Sequence, residues 1–527
     1  MPDRGHDPRD TGGATLTTLY GRYGTPPPPP PPPMLGPQPA RHGEPGWTIW
    51  PHRIWPLDAQ AAAPRRLLVP ALVAAGAGAE FWRPSVLSAG YLFVGVVVFV
   101  VVYGTAERRP SRGEWLGIAV TLALLAVPAL LAAKWLGVLC ILAAWLVGWG
   151  TLFGGRTLTA VFSGPLLPWL LPARVYGWAR RAVPEGGFMR TGGPSATRVG
   201  VVTAITVVLA LIFGSLFASA DPAFARVIGH LVPEWNLSEV RARTLVFGIV
   251  LCLVLFGGYL VRFPPRLDAL APEPMRPLPN WEWAVPLAVL DVLFIGFVAV
   301  QAAVLFGGHE HVLQTEGLTY AEYARQGFWQ LLWVSALTLL VLSGVIRVAG
   351  REAAGRRLLR ILVGTLCATS VVVVISAIHR MWLYQEAYGF SVQRLVVITI
   401  ELWLGAVFIL VAVAGIRMTG RWLPRAILMA GAVALLGLAA TNPERLIAER
   451  NIDRYEQTGV LDTSYLLRLS SDIEPALARL PESMRACAMY RMDHRDPWYE
   501  FNLSRWRAPH DVAPRGDECT MYGLYSR

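Results

Sequence analysis

The chain has 527 residues, 54% hydrophobic and only 16% charged, with a mean hydropathy of +0.43. A soluble domain carries about a quarter charged residues, whereas here the apolar residues come in runs of roughly twenty, enough to cross a ~30 Å hydrocarbon core as a helix. On a soluble protein the net charge of +11 would suggest nucleic-acid binding; spread over membrane-flanking loops it points to anionic lipid head groups, and no nucleic-acid partner is expected.

Residues 1–65 form a low-complexity tail. Pro26–Pro33 is an unbroken proline run, which favours polyproline II and cannot join a helix or a sheet core. It reads as a disordered cytoplasmic leader, with a ligand for a proline-binding domain as the alternative. The first apolar run starts near Leu67 after this polar stretch, so the first spanning helix is expected to serve as an uncleaved insertion signal.

Apolar segments follow at approximately 67–82, 86–104, 115–133, 136–153, 199–219, 245–263, 283–306, 327–346, 360–378, 395–416 and 425–441, with boundaries good to about two to four residues. The first is the weakest, being short and holding Pro70 and Glu80. The alternation of a closed β-barrel is absent, which leaves helices as the spanning element. The expected fold is all-α, a polytopic transmembrane bundle of about eleven helices over residues 66–442. Residues 443–527 add a small helical C-terminal segment.

Arginines mark every second gap. Arg108, Arg109 and Arg112 follow the second segment, and Arg156, Arg174, Arg180, Arg181 and Arg190 the fourth. Arg262, Arg266 and Arg276 follow the sixth, Arg347, Arg351, Arg356, Arg357 and Arg360 the eighth, and Arg417, Arg421 and Arg425 the tenth. The positive-inside rule places these gaps in the cytoplasm of a bacterial cell, in the inner membrane. The N-terminus is then cytoplasmic and the C-terminal segment extracytoplasmic. Within the gap 155–197, Leu166–Pro172 with Tyr176 and Trp178 reads as a segment lying in the membrane interface.

In the C-terminal segment, Asn442-Pro443 opens a helix with proline in its first turn, Leu446, Ile447, Ile452 and Tyr455 give it an apolar face, and Gly459 ends it. A second amphipathic helix is expected over roughly 463–480. Of the five cysteines, Cys140, Cys252 and Cys367 lie in apolar segments and read as small core residues. Cys487 and Cys519 lie in the tail, where an extracytoplasmic location permits a disulfide between them.

Acids inside spanning segments are costly and therefore functional candidates. Asp291 lies near the middle of the seventh segment, with Gln301 three turns on, and Glu401 lies in the tenth. Two such carboxylates can relay protons or bind a cation; the structural alternative is a hydrogen bond to a neighbouring helix. His309 and His311 form an isolated HxH on a loop, too common a pattern to imply a metal, and neither metal nor cofactor is expected. Thr319 and Glu322 form a capping box, with Arg325 just inside the helix they start. Asp221-Pro222 marks another helix start. Asp221, Glu322, Arg325, Arg380 and Glu386 together form a candidate outer polar rim. No nucleophile elbow, Walker A loop, HExxH or kinase signature is present, and the short gaps leave no room for a soluble catalytic domain.

Several stretches resemble a family of bacterial polytopic membrane proteins of unknown function, numbered 4173/4153. They are Asp221-Pro-Ala-Phe224, Thr319–Phe328, Arg380-Met-Trp-Leu-Tyr-Gln-Glu-Ala-Tyr-Gly389, Asn442-Pro443 with Asn451-Ile-Asp-Arg-Tyr455, Leu461–Ser470 and Asn502-Leu-Ser-Arg505. The resemblance implies membrane localisation and a helical bundle, and implies no activity. The residues leave three readings: a non-enzymatic protein that transports a solute or transduces an envelope signal through Asp291 and Glu401, an integral-membrane transferase acting on a lipid-linked substrate at the outer rim, and a structural partner in an envelope complex.

Overall fold

The computed structural model describes residues 61–155, 157–166, 172–182, 237–270, 277–306, 320–349, 353–482 and 496–508, with scattered positions between 206 and 221 and at 485. Helix is the regular element among them, apart from one parallel bridge between Leu278 and Ala349. The proline run, the segment at 199–219 for the most part, His309, His311, Cys487 and Cys519 lie outside the described residues.

The first helices are α1 (Arg65–Phe81), α2 (Gly90–Gly104), α3 (Arg112–Leu130) and α4 (Lys134–Phe153). Two short ones follow, α5 (Leu158–Ser163) and α6 (Pro172–Arg181). Then come α7 (Leu237–Arg262), α8 (Asn280–Phe306), α9 (Tyr320–Val348), α10 (Ala353–Tyr388), α11 (Val392–Arg417) and α12 (Leu423–Ala440). Among the described residues, eight helices are long and apolar enough to cross a membrane: α3, α4 and α7 to α12. The apolar α2 is shorter at 15 residues. The weak first segment forms a 17-residue helix despite Pro70.

Among the described residues the helices α1 to α4, and again α7 to α12, alternate in direction, so the described connections that carry arginine meet at one end of the bundle. At that end Arg66 pairs with Glu107 at 2.8 Å. Arg262 donates to the Thr105 carbonyl at 2.5 Å, Arg425 to the Gly155 carbonyl at 2.9 Å, and the Leu278 amide to the Val348 carbonyl at 3.0 Å. At the opposite end Arg243 joins Glu80 on α1, also at 2.8 Å. The amphipathic α6 lies at the arginine end, where Trp178 is buried edge-on against Tyr259 and Tyr176 is exposed.

Burial follows the apolar faces. One core cluster joins α1, α2 and α7 with Trp149 and Leu152 of α4. A second joins α8, α9, α10 and α11, and a third joins α3, α4 and α12. Large apolar side chains on the free faces of α8 and α9, among them Trp281, Val289, Val292, Trp333 and Leu340, are exposed. In a spanning helix such faces contact lipid. Cys140 and Cys367 are buried as core residues, but Cys252 is exposed on the surface of α7, because it falls off the stripe Val246, Val250, Val254 that packs inward.

Two sequence expectations are corrected. The ninth segment does not end at 378: α10 is one helix of 36 residues, so Arg380 and Glu386 sit on a helix rather than in a gap. No glycine or proline interrupts Thr365–Tyr388, and the helix stops where Gly389 adopts φ +84°, a conformation that favours glycine. The second tail helix is also broken. α13 (Pro443–Thr458) is followed by single turns, α14 (Thr463–Leu466), a 3-10 turn at Ser471–Ile473 and α15 (Glu474–Leu477), then by α16 (Leu503–Arg507). The break lies at Ser470, whose backbone is extended, whose amide donates to Glu444 and whose hydroxyl accepts from the Asp472 amide, while Pro475 sits in the first turn of α15, where its missing amide is tolerated.

Candidate functional site

α10 is the axis of its half of the bundle, with α8, α9 and α11 packed around it. Close contacts fix the registers. Asn280 stands against Gly355, and Gln301 accepts from Ser376 at 3.1 Å, so α8 and α10 run parallel. A Cβ placed on Gly405 would lie 3.3 Å from Val374, and one on Gly415 would lie 3.7 Å from Val363, so α11 runs antiparallel to α10.

Within this frame Asp291 sits on α8 at the level of Leu366 and Cys367 of α10. Glu401 sits on α11 at the level of Ile378. Asp291 is 4% exposed and Glu401 0%. Neither carboxyl has a hydrogen-bond partner among the described residues. The two acids therefore share α10 but do not meet. Their levels differ by about 17 Å along its axis, taking 1.5 Å per residue.

Two residues that composition and spacing did not single out belong to the same seam. Ser370 and Gln385 of α10 are each 1% exposed, and the Ser370 hydroxyl and both polar atoms of the Gln385 side chain lack partners among the described residues. A lone serine or glutamine in an apolar run carries no periodic signal, so only packing reveals them.

The outer rim is not assembled as one cleft. Arg380 donates to Gln301 at 2.7 Å. Glu386 is exposed and accepts the Trp382 indole N–H at 2.8 Å. Asp221 is exposed and its amide donates to the Phe217 carbonyl. The side chains of Glu322 and Arg325, and the Thr319 cap, lie outside the described residues. No group of three or more His, Cys, Asp or Glu is placed to hold a metal among the described residues. A cavity of about 390 Å³ opens near the arginine end between Gly117, Thr151, Gly154, Leu428, Glu114 and Arg425. Its carboxylate is already held by Arg108 at 2.6 Å and the Ser111 amide at 2.8 Å.

The tail has a structural role at the other end. Between α3 and α4 the chain turns away from helix at Leu131, which orphans the amides and carbonyls there. Asp472 accepts from the Ala132 and Ala133 amides, both at 2.9 Å. Asn502 donates to the Pro128 and Leu131 carbonyls at 2.8 Å. Glu444 joins the Trp135 indole at 2.9 Å to the Ser470 amide at 2.6 Å; burial pushes its carboxyl above the ordinary range, against those hydrogen bonds. Asn451 pairs with both backbone groups of Phe390, and the Tyr465 hydroxyl accepts from the Val392 amide. Asp462 caps α14, and the Tyr465 amide it accepts holds its carboxyl below the ordinary range.

No curated protein and no solved structure matches the chain. Residues 118–480 match the family described as DUF4153, a domain of unknown function. The matched span contains most of α3, all of α4 to α15 and both buried acids. The chain is thus a membrane protein of the DUF4153 family.

Proposed function

We propose that the protein is a non-enzymatic, multi-pass transporter whose cycle is driven by protonation of Asp291 and Glu401. The observation that supports this is the pair of buried carboxyls without partners among the described residues, on helices packed against α10. An unpaired carboxylate in hydrocarbon is expensive, and binding a proton relieves that cost. A protein retaining two such groups at different depths can pick up a proton at one and release it at the other. The same chemistry would serve transduction of an envelope signal. A lipid-linked transferase finds less support, because Arg380 is tied to Gln301 and Glu386 to Trp382.

We place the protein in the bacterial inner membrane, with the arginine end facing the cytoplasm and anionic head groups. The tail then lies outside, where exposed Trp498 and Trp506 suit the head-group layer or an envelope partner. Infrared spectra of the protein in liposomes test the carboxyl reading. A carboxylic C=O band should change with pH, with one component lost in Asp291→Asn and another in Glu401→Gln. Identical spectra in wild type and both variants would refute it.

A further inference from the structure

The seam along α10 has an order that the proposed function does not itself require. On the arginine side stand Asp291, Cys367 and Ser370. On the tail side stand Glu401 and Gln385. Side chains on helices lean toward the helix N-terminus. Gln385 on α10 therefore leans toward the arginine end, while Glu401 on the antiparallel α11 leans toward the tail end. Their backbone levels differ by about 10 Å at 1.5 Å per residue, and the two leans shorten that gap. Ser370 leans toward the level of Asp291, which on the parallel α8 leans in the same direction.

Between the two groups α10 presents Val373, Val374 and Ala377, all buried at 3% exposure or less. α11 covers them with Leu404, Gly405 and the fully buried Phe408. This stretch is about 12 Å long at 1.5 Å per residue, and none of these side chains carries a polar atom; the Ser376 hydroxyl in the same stretch of α10 is turned to α8, where it donates to Gln301. Buried polar atoms are normally satisfied by water when protein offers no partner; apolar stretches of this kind stay dry.

We infer that α10 carries two separate proton-binding nodes, Asp291 with Ser370 and Glu401 with Gln385, divided by a dry layer at Val374 and Gly405 that must hydrate before a proton passes. This rests on the reading of Asp291 and Glu401 as proton carriers. In each transfer one O–H bond breaks at a carboxyl and one forms on water, then the reverse occurs at the second carboxylate; no other bond changes. A bare metal cation fits less well, because each node supplies a carboxylate and one further polar side chain, short of the six or so oxygens that a hard cation takes. The titratable or charged neighbours on the packed elements include Cys367 at the level of Asp291, the exposed His379 at the level of Glu401, Arg380, which donates to Gln301, and Arg394 of α11, whose guanidinium lies over the Tyr384 ring.

The dry layer is tested by proton flux into dye-loaded liposomes under an imposed pH gradient. Val374→Ser should raise the leak severalfold, and adding Glu401→Gln or Asp291→Asn should return it to the wild-type level. Gly405→Ala, which tightens the Val374 contact, should lower any leak. Ala377→Ser is the second probe should Val374→Ser fail to fold, judged by gel filtration and thermal melting. Folded serine variants that leak no more than wild type overturn the barrier. A leak carried equally by sodium with no pH gradient overturns the proton assignment. If the infrared bands of both acids respond to pH while the serine variants stay tight, the barrier falls and the proton-binding reading stands; absence of those bands removes both.

Discussion

Four carboxylates are buried among the described residues, and they are of two kinds. Asp472 and Glu444 accept hydrogen bonds from backbone amides, and Glu444 also from an indole. Asp291 and Glu401 accept none. The two kinds should respond oppositely to substitution. Asp472→Ala leaves the Ala132 and Ala133 amides buried without an acceptor, and loss of a hydrogen bond to a charged group costs about 1.5–3 kcal/mol. Chemical denaturation in detergent should record a loss of that order. Asp291→Asn and Glu401→Gln remove a desolvation penalty and break nothing, so melting temperatures should hold or rise while the pH-dependent function disappears. A marked fall in melting temperature would mean that these acids are structural. Glu444 has a folded-state value raised by burial. Its protonated form is thus favoured by folding: its contribution is full below the ordinary glutamate range and is lost as pH rises through the raised folded value. Protease protection of the tail should therefore be greater in mild acid than at neutral pH, and Glu444→Gln should flatten that dependence.

Helix packing sets the next scale. α3 and α4 approach through Gly117, where an added Cβ would stand 2.0 Å from the Thr151 hydroxyl. Thr151 is held in place by donating to Val147 at 2.8 Å, so it gives way poorly. Gly117→Ala should cost about 1–3 kcal/mol by overpacking, and Thr151→Ala in the same chain should recover part of it, as read by thermal melting of single and double variants. The tail also acts at this scale. α13 and the turns after it bury their own apolar cluster, Ile447, Ile452, Leu466, Ile473 and Leu477, against Phe390 and Leu395 at the start of α11. Arg479 pins the turns to α13 through Asp453 and Glu456, both at 2.7 Å. It is exposed, and such pairs contribute little. The docking depends instead on the apolar cluster and on the polar side chains that satisfy orphaned helix ends.

At the scale of the molecule, the described helices put their arginine-bearing connections at one end and the docked tail at the other. That arrangement predicts sidedness. In a background whose five native cysteines are replaced by serine, Ser464→Cys should react with an impermeant reagent from outside intact cells. Thr419→Cys, at the exposed turn between α11 and α12, should react only after the membrane is opened. The reverse pattern would invert the topology. The stretches that resemble the family gain a reason here. Asn451, Asp462, Tyr465 and Asn502 each satisfy a backbone group, three of them within the tail-to-bundle docking and Asp462 within the tail itself.

Sequence by itself determined the solvent, the element type and the alternation. Runs of about twenty apolar residues admit only helices in lipid, and charge is read directly along the chain. It also singled out Asp291 and Glu401, because an acid in an apolar run is visible without coordinates. It misplaced the end of α10, since an interfacial helix and a polar loop have similar composition and only the absence of glycine and proline separates them. It read one helix over 463–480 because the apolar period continued past Ser470. What only the tertiary structure decided is adjacency. Helix registers put Asp291 and Glu401 against the same helix yet about 17 Å apart at 1.5 Å per residue. They put Ser370 near the level of Asp291, Gln385 about 10 Å along the axis from Glu401 and Val374 between the levels of the two acids, and they brought Asp472 to an α4 terminus some 340 residues away in sequence. The hydrophobic pattern states which face is buried, but not which neighbour buries it, because lipid and a second helix are equally apolar partners.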